Sequence, residues 1–320
     1  MFFDDASVLQ GAIYIAIQIL KPHPANHVDV DFQERILNEI EMLEGVFHVD
    51  DVRIEYKSLR DVEKYGYITQ RLASKRHGYN RIFVFQMSIS DVSHLIERYG
   101  SVDTQDYLHV FVYALAYALG VYCDGAFDVD ESVISYNDIY ESVDGLINSF
   151  SHLYKKDGRL YSSSTEISLQ RTLDWFLSID DVLEACGRTA LGKSLSIYSR
   201  MFSSIPWEDE MFMDGLLSVM ALEALYESHG RRADLAERVA MFLDVDKQKC
   251  KEEIYSIYTH RCSVAHGGFV LPFKFYIHDG TKEFENAFDE TQSSFSVGLH
   301  YLLGSYRKMI LQNKKELTFV

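Results

Sequence analysis

Apolar positions along the chain follow two rhythms, and the change between them falls near the middle. In the first half, runs rich in β-branched and aromatic residues stand between polar breaks. AIYIAIQIL (residues 12–20) stops at KPHP, DVRIEYKSL (51–59) alternates apolar and polar, and RIFVFQMSI (81–89) is almost continuously apolar. A period of two with β-branched residues predicts half-buried strands. Helical spacing runs through DFQERILNEIEMLEGV (31–46), with Asp31 placed as N-cap, then TQDYLHVFVYALAYALGVY (104–122) and NDIYESVDGLINSFSHLY (137–154). Residues 1–165 therefore read as an α+β domain.

From Glu166 onward nearly every segment has a helical period. The candidates are EISLQRTLDWFLSIDDVLEAC (166–186), ALGKSLSIYSRMF (190–202), PWEDEMFMDGLLSVMALEALYESHG (206–230), RADLAERVAMFLD (232–244), DKQKCKEEIYSIYTHRCSVAHG (246–267) and SSFSVGLHYLLGSYRKMIL (293–311). Pro206 and the acidic residues after it suit a helix start, and Gly230 a C-cap. FVLPFKFYIHDG (269–280) reads as extended. The fold class is mainly α: a helical bundle over 166–320, with the boundary in the polar stretch DGRLYSSST (157–165).

Composition narrows the function classes. The net charge of −17 argues against a surface built to hold duplex nucleic acid nonspecifically, but leaves room for a small basic pocket. Residues 1–205 carry 18 Lys and Arg against 30 Asp and Glu, and residues 206–320 carry 13 against 18. The second half, at −5 rather than −12, is the better place for an anionic ligand. Cys123, Cys186, Cys250 and Cys262 are widely spaced without a CxxC pair, which fits free thiols in a reducing cytosol. The start, MFFDDASVLQ, lacks the basic region of a secretory signal. The longest apolar run, Val110–Cys123, is about four residues short of a membrane span. A cytoplasmic, soluble protein without membrane contact is expected.

The chemistry concentrates in EEIYSIYTHRCSVAHGGF (252–269). On a helix through this stretch Ile254, Ile257, Tyr258, Arg261 and Val264 form one stripe, so Arg261 faces other helices and needs an anionic partner or a wet pocket. His266 falls at the helix end, about 140° around from Arg261 on an ideal helix. The pair converges if Gly267 and Gly268 loosen the last turn. An imidazole titrating near neutrality moves protons, and a guanidinium grips a phosphate and steadies charge developing on it. Together they suit cleavage of RNA by its own 2′-hydroxyl, an intramolecular nucleophile that needs only deprotonation and alignment. Arg and His near a helix C-terminus also complement its dipole, which is the purely structural reading.

Read with LLSVMALEALYESHG (216–230) and LAERVAMFLD (235–244), this stretch resembles the Apea-like branch of the HEPN superfamily. The matching blocks are Ala221-Leu222-Glu223 with Leu225, then Ala240-Met241-Phe242-Leu243, then Ile257-Tyr258, Arg261, His266 and Gly267, about a fifth of the chain between Met211 and Phe269. The resemblance implies a HEPN-type helical bundle that homodimerises and sets two Arg-x4-His motifs across one cleft. It also implies a metal-independent endoribonuclease, a hydrolase of RNA in a toxin or antiviral (antiphage) defence setting, with no cofactor. His266 would be the general base or acid and Arg261 the phosphate ligand. Some relatives keep the fold without cleaving RNA. Where relatives often carry a polar residue after the arginine, this chain has Cys262 with Ser263 next. Either Ser263 takes the polar role or the site is less well organised.

Other readings were set beside this one. Cys262 and His266, at i and i+4, form a conceivable thiol and base, yet no third orienting residue is visible. His260, Cys262 and His266 make a poor metal cluster, since His260 and Cys262 diverge by roughly 200° on a helix. Glu223 is placed to pair with an arginine such as Arg261 or to lie on the surface, and Tyr258 to fill the core or touch phosphate. Arg71, Lys75, Arg76 and Arg81 form a basic segment in an acidic domain, suited to RNA, a partner or plain solvation. The domain over 1–165 is expected to sense, regulate or recruit, with a regulatory protein as a further partner. The competing class is a non-catalytic dimerisation or nucleotide- or RNA-binding module.

Overall fold

The computed structural model describes residues 8–19, 31–49, 52–59, 81–90, 104–123, 127–136, 139–143, 167–184, 186–201, 208–269 and 282–319. Two compact units emerge. One takes Met1–Ser151 and Ser163–Ala185, the other His152–Ser162 and Cys186–Val320. Mainly helical elements make up the described residues, with an antiparallel sheet towards the N-terminus.

The sheet unit contains β1 (Val8–Ile19), α1 (Asp31–Glu41), β2 (Glu44–Val49), β3 (Val52–Leu59), β4 (Arg81–Ser90), α2 (Thr104–Tyr122), β5 (Phe127–Tyr136), β6 (Ile139–Val143), α3 (Leu169–Phe176) and α4 (Asp180–Leu183). Its strands pair in the order β2-β3-β4-β1-β5-β6, every neighbour antiparallel. In β3 the alternation read from the sequence buries Val52, Ile54 and Tyr56 while intervening residues stay partly open. The apolar α2 lies against this face: Phe111 is fully buried, with ring centroids 4.8 Å from Tyr56 and 5.2 Å from Phe85.

The segment 167–184 packs in the sheet unit, whereas the sequence reading put 166–186 in the bundle as one helix. Two helices form there instead, broken at Leu177–Ile179. Glu39 of α1 explains the attachment. Its carboxylate accepts from Tyr122 Oη at 2.6 Å and from the Leu169 backbone N–H at 2.7 Å, so α1, α2 and the start of α3 share one acceptor. Gln170 Nε2 donates to Tyr56 Oη at 2.9 Å, fixing α3 to the sheet. Of the helix expected over 137–154, Ile139–Val143 is instead strand β6, paired with β5 through Ser132–Tyr136, and 137–138 and 144–154 lie outside the described residues.

The helical unit contains α5 (Ala190–Ser199), α6 (Glu208–Tyr226), α7 (Arg232–Leu243), α8 (Lys247–Ala265) and α9 (Lys282–Gln312). α6 packs on α5, α8 and α9, and α8 also on α7 and α9. Asp246 caps α8, its Oδ1 accepting from Lys249 N–H at 2.7 Å. Gly230 is not the cap of α6. That helix closes at Tyr226 with Glu227 in the left-handed region (φ 47°), and Ser228 N–H donates back to Glu223 O at 3.2 Å. Buried tyrosines tie the bundle together: Ser194 Oγ donates to Ala221 O at 2.8 Å and lies 2.8 Å from Tyr306 Oη, and Tyr226 Oη is 2.7 Å from Ser305 Oγ. Among the described residues no helix is long and apolar enough to cross a membrane. Pro206, the stretch 270–280 and the basic segment at Arg71, Lys75 and Arg76 lie outside the described residues.

Candidate functional site

The inward stripe of α8 carries the site. Ile254, Ile257 and Tyr258 are buried, and one turn beyond Tyr258 the stripe presents Arg261, whose side chain is 26% exposed. A guanidinium at this depth is partly desolvated and needs a counter-charge. Glu223 on α6 supplies it, with Oε2 3.5 Å from Arg261 Nη2 and a side chain only 12% exposed. Of the two placements open to Glu223 in the sequence, the structure gives the one beside Arg261.

Tyr258 joins the same group. Its hydroxyl lies 2.6 Å from Gly230 O and 3.1 Å from Glu223 Oε1, so one hydrogen faces two acceptors and the shorter contact takes it. Burial, and then the charge of Glu223, push the Tyr258 phenol above its ordinary range, keeping it a neutral donor. Arg261 Cζ also sits 5.4 Å from the Tyr258 ring centroid. Tyr258, Glu223 and Arg261 are thus one contact group holding the α6–α7 turn, α6 and α8 together.

Arg261 is under-committed in this group. Of its five donors, one meets Glu223 at the long end of hydrogen-bond range, and another faces the weak Cys262 Sγ acceptor at 4.0 Å. Arg261 Nε is buried with no hydrogen-bond partner among the described residues. A bidentate anion would satisfy donors that the protein leaves open.

His266 is placed differently from the expectation. The helix neither unwinds nor bends before it. His266 is the C-cap itself (φ −103°, ψ 10°), and Gly267 adopts φ 70°. Gly268 N–H donates to Ser263 O at 2.8 Å and Gly267 N–H to Val264 O at 3.4 Å, the paired closing bonds of an ordered helix end. Gly267 serves that cap through its left-handed backbone, since open space surrounds its missing Cβ. The glycines order the end of the helix instead of loosening it. His266 is exposed, and it makes no hydrogen bond to Arg261 among the described residues. Within the single chain the His266 imidazole and the Arg261 guanidinium are separate groups, five residues apart in sequence.

Cys262 and Ser263, the other expected supports, act through their carbonyls. Cys262 O accepts from His266 N–H at 3.0 Å, and Ser263 O accepts from both Gly268 and Phe269 N–H groups. His260, weighed as a metal ligand, is buried, with Nδ1 3.4 Å from Glu290 Oε1 and its ring 4.7 Å edge-on from Phe269. It faces α9, while Cys262 is partly exposed and His266 exposed. Among the described residues no group of three or more His, Cys, Asp or Glu side chains is placed to hold a metal ion.

Sequence reasoning missed a cleft at the opposite end of α8. This cleft of about 560 Å³ is lined by Val245, Cys250, Glu253, Val297, His300 and Tyr301, among others, and by none of the site residues above. Tyr301 Oη donates to Glu253 there, and burial raises the Cys250 thiol. The signal was present as Cys250, Glu253 and Tyr301, but their meeting depends on how α8 and α9 cross, which no single helix reveals. Comparison with known proteins adds no relative: no protein-family model, no curated protein and no solved structure matches the chain.

Proposed function

We propose that the helical unit is an Apea-like HEPN domain acting as a metal-independent endoribonuclease. Arg261 holds and stabilises the scissile phosphate, and His266 is the proton carrier for attack by the 2′-hydroxyl. The observation that carries this reading is the Arg261 guanidinium: on an inward stripe, partly open to solvent, with a buried unpartnered Nε and one long carboxylate contact. Glu223 and Tyr258 keep that guanidinium in place without satisfying it. His266 at an exposed C-cap is accessible to a substrate phosphodiester or to a second copy of the chain. A homodimer through this unit brings two Arg261–His266 pairs to one cleft, so the separation seen within one chain is made good across the pair. A cytoplasmic toxin or antiphage role, controlled through residues 1–165 or a regulatory protein, follows from the same reading.

The test is cleavage of single-stranded RNA in EDTA by the full chain. Wild type is expected to leave 2′,3′-cyclic phosphate ends, while Arg261→Ala and His266→Ala lose cleavage, about 10²–10³-fold or more for the phosphate ligand, with folding intact. Equal cleavage by variant and wild type defeats the proposal.

A non-catalytic RNA- or nucleotide-binding module is the second reading, favoured by the ordered cap that keeps His266 from bonding to Arg261. Binding without turnover in the same assay selects it.

A further inference from the structure

The exposed face where α7 begins and α8 passes carries cations that neither the fold nor the Arg261 site employs. Arg232 Cζ lies 4.5 Å from the Tyr255 ring centroid, and Lys251 Nζ lies 5.6 Å from the same ring. Tyr255 is partly exposed, and Arg232 and Lys251 are exposed without an ion pair among the described residues. Three residues along α8, the buried Tyr258 ring packs against Arg261, whose Cζ lies 5.4 Å from its centroid. Residues three apart on a helix are neighbours about 60° round its axis, so the partly open Arg261 stands about one turn from the Tyr255 ring and its cations.

The adjoining turn is conformationally unusual and held by hydrogen bonds. Glu227 (φ 47°), His229 (φ 50°) and Gly230 (φ 79°) all sit in the left-handed region, rare for the first two. Arg238 Nη1 holds the turn by donating to Tyr226 O at 2.6 Å and Glu227 O at 3.1 Å, and Tyr258 Oη holds it through Gly230 O. The exposed His229 makes no hydrogen bond among the described residues and directly precedes Gly230, whose carbonyl accepts from Tyr258 Oη. Residues 229–261 carry seven Lys and Arg against six Asp and Glu, a net of +1 in a chain of net −17.

We propose that His229, Arg232, Lys251 and Tyr255 form a track for the single-stranded RNA that flanks the phosphate at Arg261, with one base stacked against the Tyr255–Arg232 pair. This rests on the RNA reading above and names the part of the substrate that the Arg261 site does not touch. A partly exposed ring flanked by cations suits a single strand, whose base stacks and whose phosphates pair with the charges. Arg232 also serves as a stacking plane in its own right.

The test measures binding of a fluorescein-labelled oligouridylate by anisotropy, in EDTA, with the full chain carrying His266→Ala so that the probe survives. Tyr255→Ala and Arg232→Ala are each expected to weaken binding about tenfold, and Tyr255→Phe to retain it. Arg232→Ala should also flatten the salt dependence by about 0.7 in log–log slope. Parental affinity in both alanine variants overturns the track, as does competition by polyglutamate as strong as that by unlabelled RNA. If Tyr255→Ala fails to fold, Arg232→Ala and Lys251→Ala at exposed positions carry the test alone. The two readings fail separately. Normal binding by track variants of a cleaving protein removes the track and leaves the nuclease; lost binding in track variants of a protein that never cleaves does the reverse.

Discussion

Buried polar groups are joined by hydrogen bonds in both units, in the helical one through Ser194, Tyr306, Tyr226 and Ser305, but the units differ in how many such atoms stay bare. In the sheet unit Glu39 serves both Tyr122 and the Leu169 N–H, and Tyr56 Oη meets Gln170 and Asp174. Ser58 Oγ is a buried exception without a partner there. The helical unit leaves Ser228 Oγ, His260 Nε2, Arg261 Nε, Thr291 Oγ1 and Ser294 Oγ buried without partners among the described residues. Buried polar atoms are normally satisfied because leaving one bare costs about 1–3 kcal/mol. The helical unit thus leaves more buried polar atoms bare among the described residues, two of them, His260 Nε2 and Arg261 Nε, on α8.

Three further outcomes press on that contrast. The largest is expected from Phe111→Ala, which empties the aromatic cluster beneath the sheet and should cost about 3–5 kcal/mol in urea unfolding. RNA cleavage per folded molecule should be unchanged, and its loss would break the division between the units. Next comes alkaline pH. Burial holds the phenols of Tyr226, Tyr301 and Tyr306 in the helical unit, and of Tyr56 and Tyr122 in the sheet unit, well above their ordinary range. Unfolded tyrosines ionise near pH 10, so above that pH the unfolded chain binds fewer protons than the folded one and stability falls. The slope should be about 1.4 kcal/mol per pH unit for each such tyrosine and vanish below about pH 9. Urea midpoints at pH 8, 10 and 11 measure it, and a flat profile would contradict the burial. The smallest effect is expected from Thr291→Val, which replaces a bare hydroxyl with a methyl and should stabilise by up to about 1 kcal/mol. A loss of 2 kcal/mol or more would mean that the hydroxyl has a partner.

Much of this architecture was legible in the sequence because its elements are locally consistent. β3 and β4 were readable from alternation and β-branched runs, and α8 from Asp246 through to Gly267. The failures have physical causes. β5 escaped notice because Asp128, Asp130 and Glu131 interrupt its apolar positions. β6 was read as helix because Ile139 and Val143 are four apart, and pairing with β5 overrode that spacing. Segment 167–184 was assigned to the bundle by its period, but the acceptor that binds it, Glu39, lies 130 residues from Leu169. At the candidate site, the stripe through Tyr258 and Arg261 could be derived from α8 alone. The ordered cap at His266 could not, since two glycines in a row permit either a loose end or a closed one.

The measurement closest to the centre of this account is RNA cleavage in EDTA by wild type and Arg261→Ala, with the product ends identified. The account predicts 2′,3′-cyclic phosphate ends from wild type and no cleavage above background from a folded Arg261→Ala protein. Cleavage by Arg261→Ala at the wild-type rate, or products lacking that cyclic phosphate, would contradict it.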